Sequence, residues 1–422
     1  MYSANRDLIK AGKNALQVDI ARNIFTDIIN RSFDGKWDLT KLKNINFQNF
    51  DEEYMTFGAG VFVASDVENT KAKDKLVSDF ASIFPTLNGT FTRQHLGVAD
   101  DEVDRVNKNI KKFIAKNTPK ICKKSPIKIL VDSNDLSSAA IIFSFMILDF
   151  PWMYTGISNE QIIFRPIVQN DEEGNVRKNI DGFTIPYVKC GVGVFAPGIQ
   201  LTRMKMRKVC KGAVSYLGPQ KRLKDVWNEY NEDDYCDLSP EYAYLHIFHR
   251  VNNCNVESIK SDEQFDEENI NCSLLTIPTT TNMTGESIFN LYKSVFETEN
   301  IFEQSLELEL PRKPVRFSMP NVELEANETI YEGNAEEYGI PKDCFRKVLG
   351  NLFWSDGNLN TVKCQSKLKI NKDGVALSSV AFGCCTDSLE KIFEIVIDQP
   401  FCFAITVGNN ILAKGVYTAI EK

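Results

Sequence analysis

Between Ala139 and Phe150 the chain reads AAIIFSFMILDF, twelve residues with a single hydroxyl and a single charge among them. The run is too short to span a membrane and too uniformly apolar for the two-faced helix of a protein surface. Its Ile and Phe content, with Asp135, Ser137 and Pro151 as flanking breakers, predicts a central strand buried on both faces. A strand of that kind must lie inside a sheet, and the chain supplies the neighbours. Phe57–Ser65, FGAGVFVAS, reads as another buried strand. Beyond about residue 310, strand signals follow one another as VRFSMPNVELE, VKCQSKLKIN, EIVID, PFCFAITV and ILAKGVYTAI. Gly408-Asn409-Asn410 between the last two predicts a hairpin turn.

Helical periodicity belongs to the early chain. Ile9, Leu16, Ile20, Ile24 and Ile28 predict a helix over Asp7–Asn30. A second helix opens at Asp101, with Val103, Val106, Ile110, Phe113 and Ile114 on one side and lysines on the other, and Pro119 stops it. Helices early, strands late and no repeat period predict an α+β fold with large mixed or antiparallel sheets. A chain of 422 residues, 43% hydrophobic and 25% charged, could form two domains or one large sheet-based domain.

Charge narrows the partners. A formal net charge of −8 leaves no clustered basic surface for general nucleic-acid binding; runs such as KICKK at Lys120–Lys124 are short and read as solvated turns. No stretch reaches the roughly 18 uncharged apolar residues of a membrane span, and the first residues carry charge where a signal peptide would be apolar. The expectation is a cytoplasmic protein, or a secreted one in its mature form. Eleven cysteines without CxxC pairs fit reduced thiols. Sequons at Asn30, Asn88, Asn271, Asn282 and Asn327 are what an Asn-rich chain produces by chance.

An active site is not legible. The chain has three histidines. His95 is isolated, and His246 and His249 sit in a strand-like run that places them on opposite faces. With Cys254 they would still need a fourth ligand to hold zinc. No GxSxG, HExxH, P-loop or GxGxxG is present. No enzyme, no cofactor and no metal is expected.

One segment remains: Asn371–Lys391, NKDGVALSSVAFGCCTDSLEK, lies between two strand signals. It is small, β-branched and free of proline, yet carries no aromatic-apolar alternation that would anchor it in a core. A segment able to live exposed and later become an interior strand needs this composition, with no charge on its inward face. On period 2 the inward set after Gly374 is Val375, Leu377, Ser379 and Ala381, and no charge follows until Asp387.

The C-terminal third resembles the serpins. IVIDQPFCFAI (Ile395–Ile405) is similar to the family signature, with Cys402 where a larger apolar residue is usual. ILAKGVY (Ile411–Tyr417) is similar to its final strand, with Gly415 as the fixed glycine. SMPNVELE, YGIPKDCF and SFMILDFPW resemble further family segments, the last ending in the breach tryptophan, here Trp152. NKDGVALSSVAFG resembles the hinge of the reactive-centre loop, with Gly374, Val375, Ala376, Leu377, Ser378 and Ser379 as hinge residues.

The resemblance implies a single serpin-like domain over residues 1–422. It would have a large central sheet, C-terminal sheets forming a β-barrel, helices packed around them, and an exposed reactive-centre loop at residues 372–392. Residues 160–270 would be an expanded region outside the family pattern. The implied activity is inhibition of a serine protease, chymotrypsin-like enzymes being favoured, by a monomer acting as a suicide substrate. In the family, the cleaved loop enters its own main sheet as a new strand. Counting from Gly374 places the scissile bond after Ser388, and counting back from Pro400 places it after Leu389, before Glu390. The family's shutter asparagine and histidine align with Ser144 and Cys364, and Asn371 ends the strand before the hinge, where Lys372 replaces an acidic residue. The alternative is a non-inhibitory serpin-fold protein, a binding, storage or interaction module whose loop does not insert.

Overall fold

The computed structural model describes residues 3–18, 54–63, 88–93, 104, 108, 112, 140–154, 156–168, 176–196, 198–209, 235–236, 238–251, 282–307, 310–338, 342–346, 362–376 and 393–419. The order begins α1 (Ser3–Lys10), β1 (Ala15–Gln17), β2 (Met55–Val63), β3 (Asn88–Arg93), β4 (Ala140–Pro151), β5 (Ser158–Phe164), β6 (Lys178–Ala196), β7 (Ile199–Lys208), β8 (Tyr235–Cys236) and β9 (Tyr242–Arg250). It continues with α2 (Gly285–Phe296), α3 (Ile301–Leu306), β10 (Leu310–Pro320), β11 (Val322–Ile330), α4 (Asp343–Arg346), β12 (Val362–Asn371), β13 (Gly374–Ala376), β14 (Phe393–Val396), β15 (Phe401–Val407) and β16 (Asn410–Tyr417).

The apolar run is β4, and it is interior: β2 pairs with it along one edge and β13 along the other. Among the described residues two sheets form. One has six strands in the order β11-β12-β13-β4-β2-β3. The other has ten, in the order β1-β16-β15-β9-β7-β6-β10-β14, with β5 beside β6 and β8 beside β10. Both are mixed, because β2–β3 and β10–β14 are parallel pairs.

One expectation is corrected: among the described residues no sheet closes into the expected C-terminal barrel, and the sheet containing β4 has six strands to the other's ten. The reason lies in β6, which runs for 19 residues. Its first part pairs with β5 and β10, its last part with β7, so the sheet extends sideways as the strand changes partners. Within the expected expanded region, the described parts of 160–270 supply β6 to β9 and most of β5 to this sheet.

The helix expected over Asp7–Asn30 stops at Lys10. Gly12 takes a left-handed conformation, φ +72°, and the chain becomes β1, antiparallel to the C-terminal strand β16. Asn14 fixes this departure, its Oδ1 accepting from the Thr418 N–H at 2.8 Å and the Thr418 hydroxyl at 3.1 Å. Leu16 meets the helical period but is buried in a strand, because pairing with β16 outweighs a local helical preference. Residues 19–53 of the expected helix and its polar continuation lie outside the described residues. In the second expected helix, Asp104, Lys108 and Lys112 are helical and exposed, the polar stripe that a four-residue spacing puts on one side.

The larger sheet is covered on both faces. One face meets the six-stranded sheet, and Phe150, Ile370 and Val375 share a buried cluster with Leu245, Ile247 and Phe403. The other face meets the helices: Ile288, Leu291, Tyr292 and Val295 of α2 pack with Leu201 and Phe248. Thr284 caps α2, its hydroxyl accepting from the Ser287 N–H at 3.2 Å. Thr284 also completes the Asn282 sequon. The Asn282 amide donates to the Val176 carbonyl at 2.9 Å and the Pro166 carbonyl at 3.3 Å, so that side chain is committed to structure.

His246 and His249 occupy opposite faces of β9. His246 meets the helix side, edge-on to Phe302 at 5.4 Å and hydrogen-bonded to the Thr406 hydroxyl at 3.0 Å. Burial, and then the neighbouring Arg203 guanidinium, hold its pKa well below the usual value. His249 faces the core between the sheets, and burial lowers its pKa to about 4. Both imidazoles are therefore neutral at neutral pH. An unfolded chain takes up protons near pH 6.5 that the folded His249 refuses until about pH 4. Stability is thus intact above about pH 6.5 and falls as the pH drops toward 4, by about 3 kcal/mol from this residue. Urea unfolding of His249→Phe should lack that part of the acid limb; an unchanged limb would show that His249 is accessible to protons in the native state.

Candidate functional site

The first three residues of the expected hinge, Gly374–Ala376, are folded into the six-stranded sheet. β12 ends at Asn371, whose side-chain oxygen accepts from the Asp373 N–H at 2.9 Å, and this short loop reverses the chain. Lys372, where an acidic residue was expected by resemblance, stays at the surface with its ammonium 3.9 Å from the Asp373 carboxylate. The returning residues Gly374, Val375 and Ala376 form β13. Gly374 faces Asn371 and Pro151, Val375 faces Ile370 and Phe150, and Ala376 faces Asp149, every pairing antiparallel.

Gly374 is required there. Its φ is +143°, and a Cβ would lie 2.5 Å from the Phe150 carbonyl oxygen and 2.8 Å from Pro151 Cα. Val375, the first member of the inward set, is 1% exposed and belongs to the core between the sheets. The ribbon expected to be exposed from residue 372 therefore has an interior start. Only Lys372 in that turn is exposed, while Gly374 and Val375 are buried. Leu377, Ser378 and Ser379 of the hinge, and Ser388, Leu389 and Glu390 at the reactive-site bond, lie outside the described residues.

Because β13 is antiparallel to both neighbours, β4 and β12 run parallel to each other, with Phe150 level with Ile370. Among the described residues β4 and β12 are joined only through β13. Below Asp149 and Ile370, no strand of the described residues lies between Ala140–Leu148 and Val362–Lys369, and this place is the slot. The ribbons on either side are firmly made. β2 and β4 pair from Met55↔Leu148 to Val63↔Ala140, and β11 and β12 from Val322↔Ile370 to Ile330↔Val362. A Glu323–Lys369 ion pair at 3.8 Å spans the second ribbon at the surface.

Ser144 and Cys364 each lie six positions before the level of Phe150 and Ile370, so these two candidate shutter positions hold equivalent places on strands β4 and β12. Sequence reading named both residues but not this equivalence, which only the register of β13 supplies.

Trp152 closes the top. Its indole N–H donates to the Asn371 carbonyl at 2.8 Å, bridging the end of β4 to the end of β12. The ring is 4% exposed, 5.8 Å from Phe183 and 6.4 Å from Tyr154, and the residue bridges to Met206. Trp152 thus ties both edges of the slot to the larger sheet. Asp149, and Pro151 that the sequence marked only as a strand breaker, are the β4 positions that receive Ala376 and Gly374.

Elsewhere chemistry is sparse. Cys402 is fully buried in the helix-side core, and burial pushes its thiol pKa up, away from thiolate formation. Among the described residues no group of three His, Cys, Asp or Glu side chains could hold a metal ion. No described helix is long and apolar enough to cross a membrane.

No protein-family model and no curated protein sequence matches the chain. Solved structures do. A serpin from the trematode Schistosoma haematobium superposes with a TM-score of 0.58 at 10% identity, covering 99% of this chain and 98% of that one. Serpin48, a highly specific serpin of the insect Tenebrio molitor, gives 0.56 at 12% identity, covering 99% and 95%. Thyroxine-binding globulin in complex with thyroxine gives 0.56 at 9% identity, covering 99% and 96%. The chain has the serpin fold, in a divergent form.

Gly374→Ala should lower stability by about 2 kcal/mol, the scale of a strained backbone position, seen as a lower Tm of the intact chain. An unchanged Tm would place Gly374 outside the sheet.

Proposed function

We propose that this protein inhibits a serine protease by loop insertion, acting as a suicide substrate. The observation that carries this reading is the hinge strand β13, seated between β4 and β12 above a slot whose edges have no other joining strand among the described residues. Continuing its register down both edges would bring Leu377–Gly383 between Ile142–Leu148 and Val362–Leu368. Val375 is already turned into the core, and Leu377, Ser379 and Ala381 would follow it inward with no charge to bury.

A dozen residues entering such a slot, each gaining about 1 kcal/mol per ladder hydrogen bond besides side-chain burial, would release on the order of 10 kcal/mol. That energy is sufficient to drag and deform an acylated protease. Leu389 is the proposed residue before the scissile bond, with Glu390 after it, and its apolar side chain suits a chymotrypsin-like enzyme.

A second reading has its own support. Thyroxine-binding globulin, solved in complex with thyroxine, has the same fold, and this chain carries Ser144 and Cys364 where the family's shutter asparagine and histidine are expected. On that reading the protein is a binding or storage module and the hinge goes no deeper than Ala376.

Incubation with a chymotrypsin-like protease separates the two. Inhibition predicts an SDS-stable complex, a Tm that rises sharply when the loop is nicked, and a released fragment beginning at Glu390. Ser379→Arg, which leaves β13 intact, should turn the inhibitor into a substrate, because insertion would bury a charge at a cost of several kcal/mol. Cleavage with no gain in Tm would exclude insertion and leave the binding module.

A further inference from the structure

On the larger sheet, Gln200 and His249 are directly opposed across β7 and β9, and Thr202 stands two residues along on the same face. Exposure is 0% for Gln200 and Thr202 and 2% for His249. The face they occupy is apolar elsewhere: Met204, Leu245 and Ile247 continue it into the core between the two sheets. Both polar atoms of Gln200, the Thr202 hydroxyl and both ring nitrogens of His249 have no hydrogen-bond partner.

Native interiors rarely leave one buried polar atom unsatisfied, and these five atoms lie on three adjacent side chains. Their chemistry is complementary and uncharged. The Gln200 amide donates two hydrogens and accepts at its oxygen, the Thr202 hydroxyl does both, and neutral imidazole offers one donor and one acceptor. The charged residues nearest in register, Arg203 and Arg250, belong to the opposite face, where Arg203 donates to the Ser305 carbonyl. Among the described residues an ion would find no counter-charge on this face of β7 and β9, and complete burial excludes a bulky solute.

We propose that Gln200, Thr202 and His249 form an internal hydration site that holds a small cluster of ordered waters in the core between the sheets. An internal water makes about three hydrogen bonds, so about two waters would satisfy the five atoms while bonding to each other. Sheet pairing explains why the site exists at all. These residues hold β7 to β9 through their backbones, and their side chains must then point into the core whatever they carry.

The isosteric change Thr202→Val, made in the full chain, tests this. Oxygen-17 magnetic relaxation dispersion counts long-lived internal waters, and the variant should hold at least one fewer than the parent with a Tm equal to or below it. In crystals of the parent, density for single waters should lie within hydrogen-bonding distance of the Gln200 amide and a His249 nitrogen. If the site is dry, Val removes an unsatisfied hydroxyl and the Tm rises. A raised Tm, an unchanged water count, or density for a larger molecule would each overturn the proposal.

Discussion

The slot exists because β4 and β12 are parallel and something antiparallel holds them apart. A strand between two parallel neighbours can pair antiparallel with both, and the turn at Asn371–Asp373 delivers β13 in that sense directly from β12. The wedge is three residues deep. It is fixed by a glycine whose φ suits few other residues, by one fully buried valine, and by an indole hydrogen bond that ties the two strand ends together. Flanking ribbons of continuous register carry the load on either side, so any deeper opening would separate them as units and leave each intact.

The larger sheet sets what lies beneath the slot. Its strands are covered by helices on one face and by the six-stranded sheet on the other, so alternate residues of β7 and β9 enter two different cores. Sheets buried on both faces leave no solvated side for polar residues. Arg203 and His246 find partners on the helix side, Ser305 and Thr406 among them. Gln200, Thr202 and His249 face the core shared with Val375 and the hinge. Burial keeps both histidines neutral at neutral pH and concentrates their effect on stability in the acid range.

Much of the strand content was legible because buried strands have compositional signatures. The Ala139–Phe150 run, the FGAG strand and the hairpin at Gly408–Asn409 all form close to where pattern placed them. The first helix was overextended because Ile9 and Leu16 satisfy the helical period equally well whether or not the chain turns at Gly12. The partner that ends the helix, β16, lies some four hundred residues away. The barrel was misjudged for a similar reason: closure depends on how β6 divides itself between β5, β10 and β7, which no local pattern encodes.

At the site, sequence chose the residues and tertiary structure chose their state. Small side chains, a glycine at 374 and an uncharged inward face at Val375, Leu377, Ser379 and Ala381 are properties of the chain alone, and they make residence inside a sheet possible. That Gly374–Ala376 already occupy that place, and that Ser144 and Cys364 hold equivalent places on β4 and β12, follow only from the registers of β13 with β4 and β12. Period 2 tells a strand which residues share a face; it says nothing of which strand lies alongside. Pairing between segments more than two hundred residues apart is settled by the shared core they bury together.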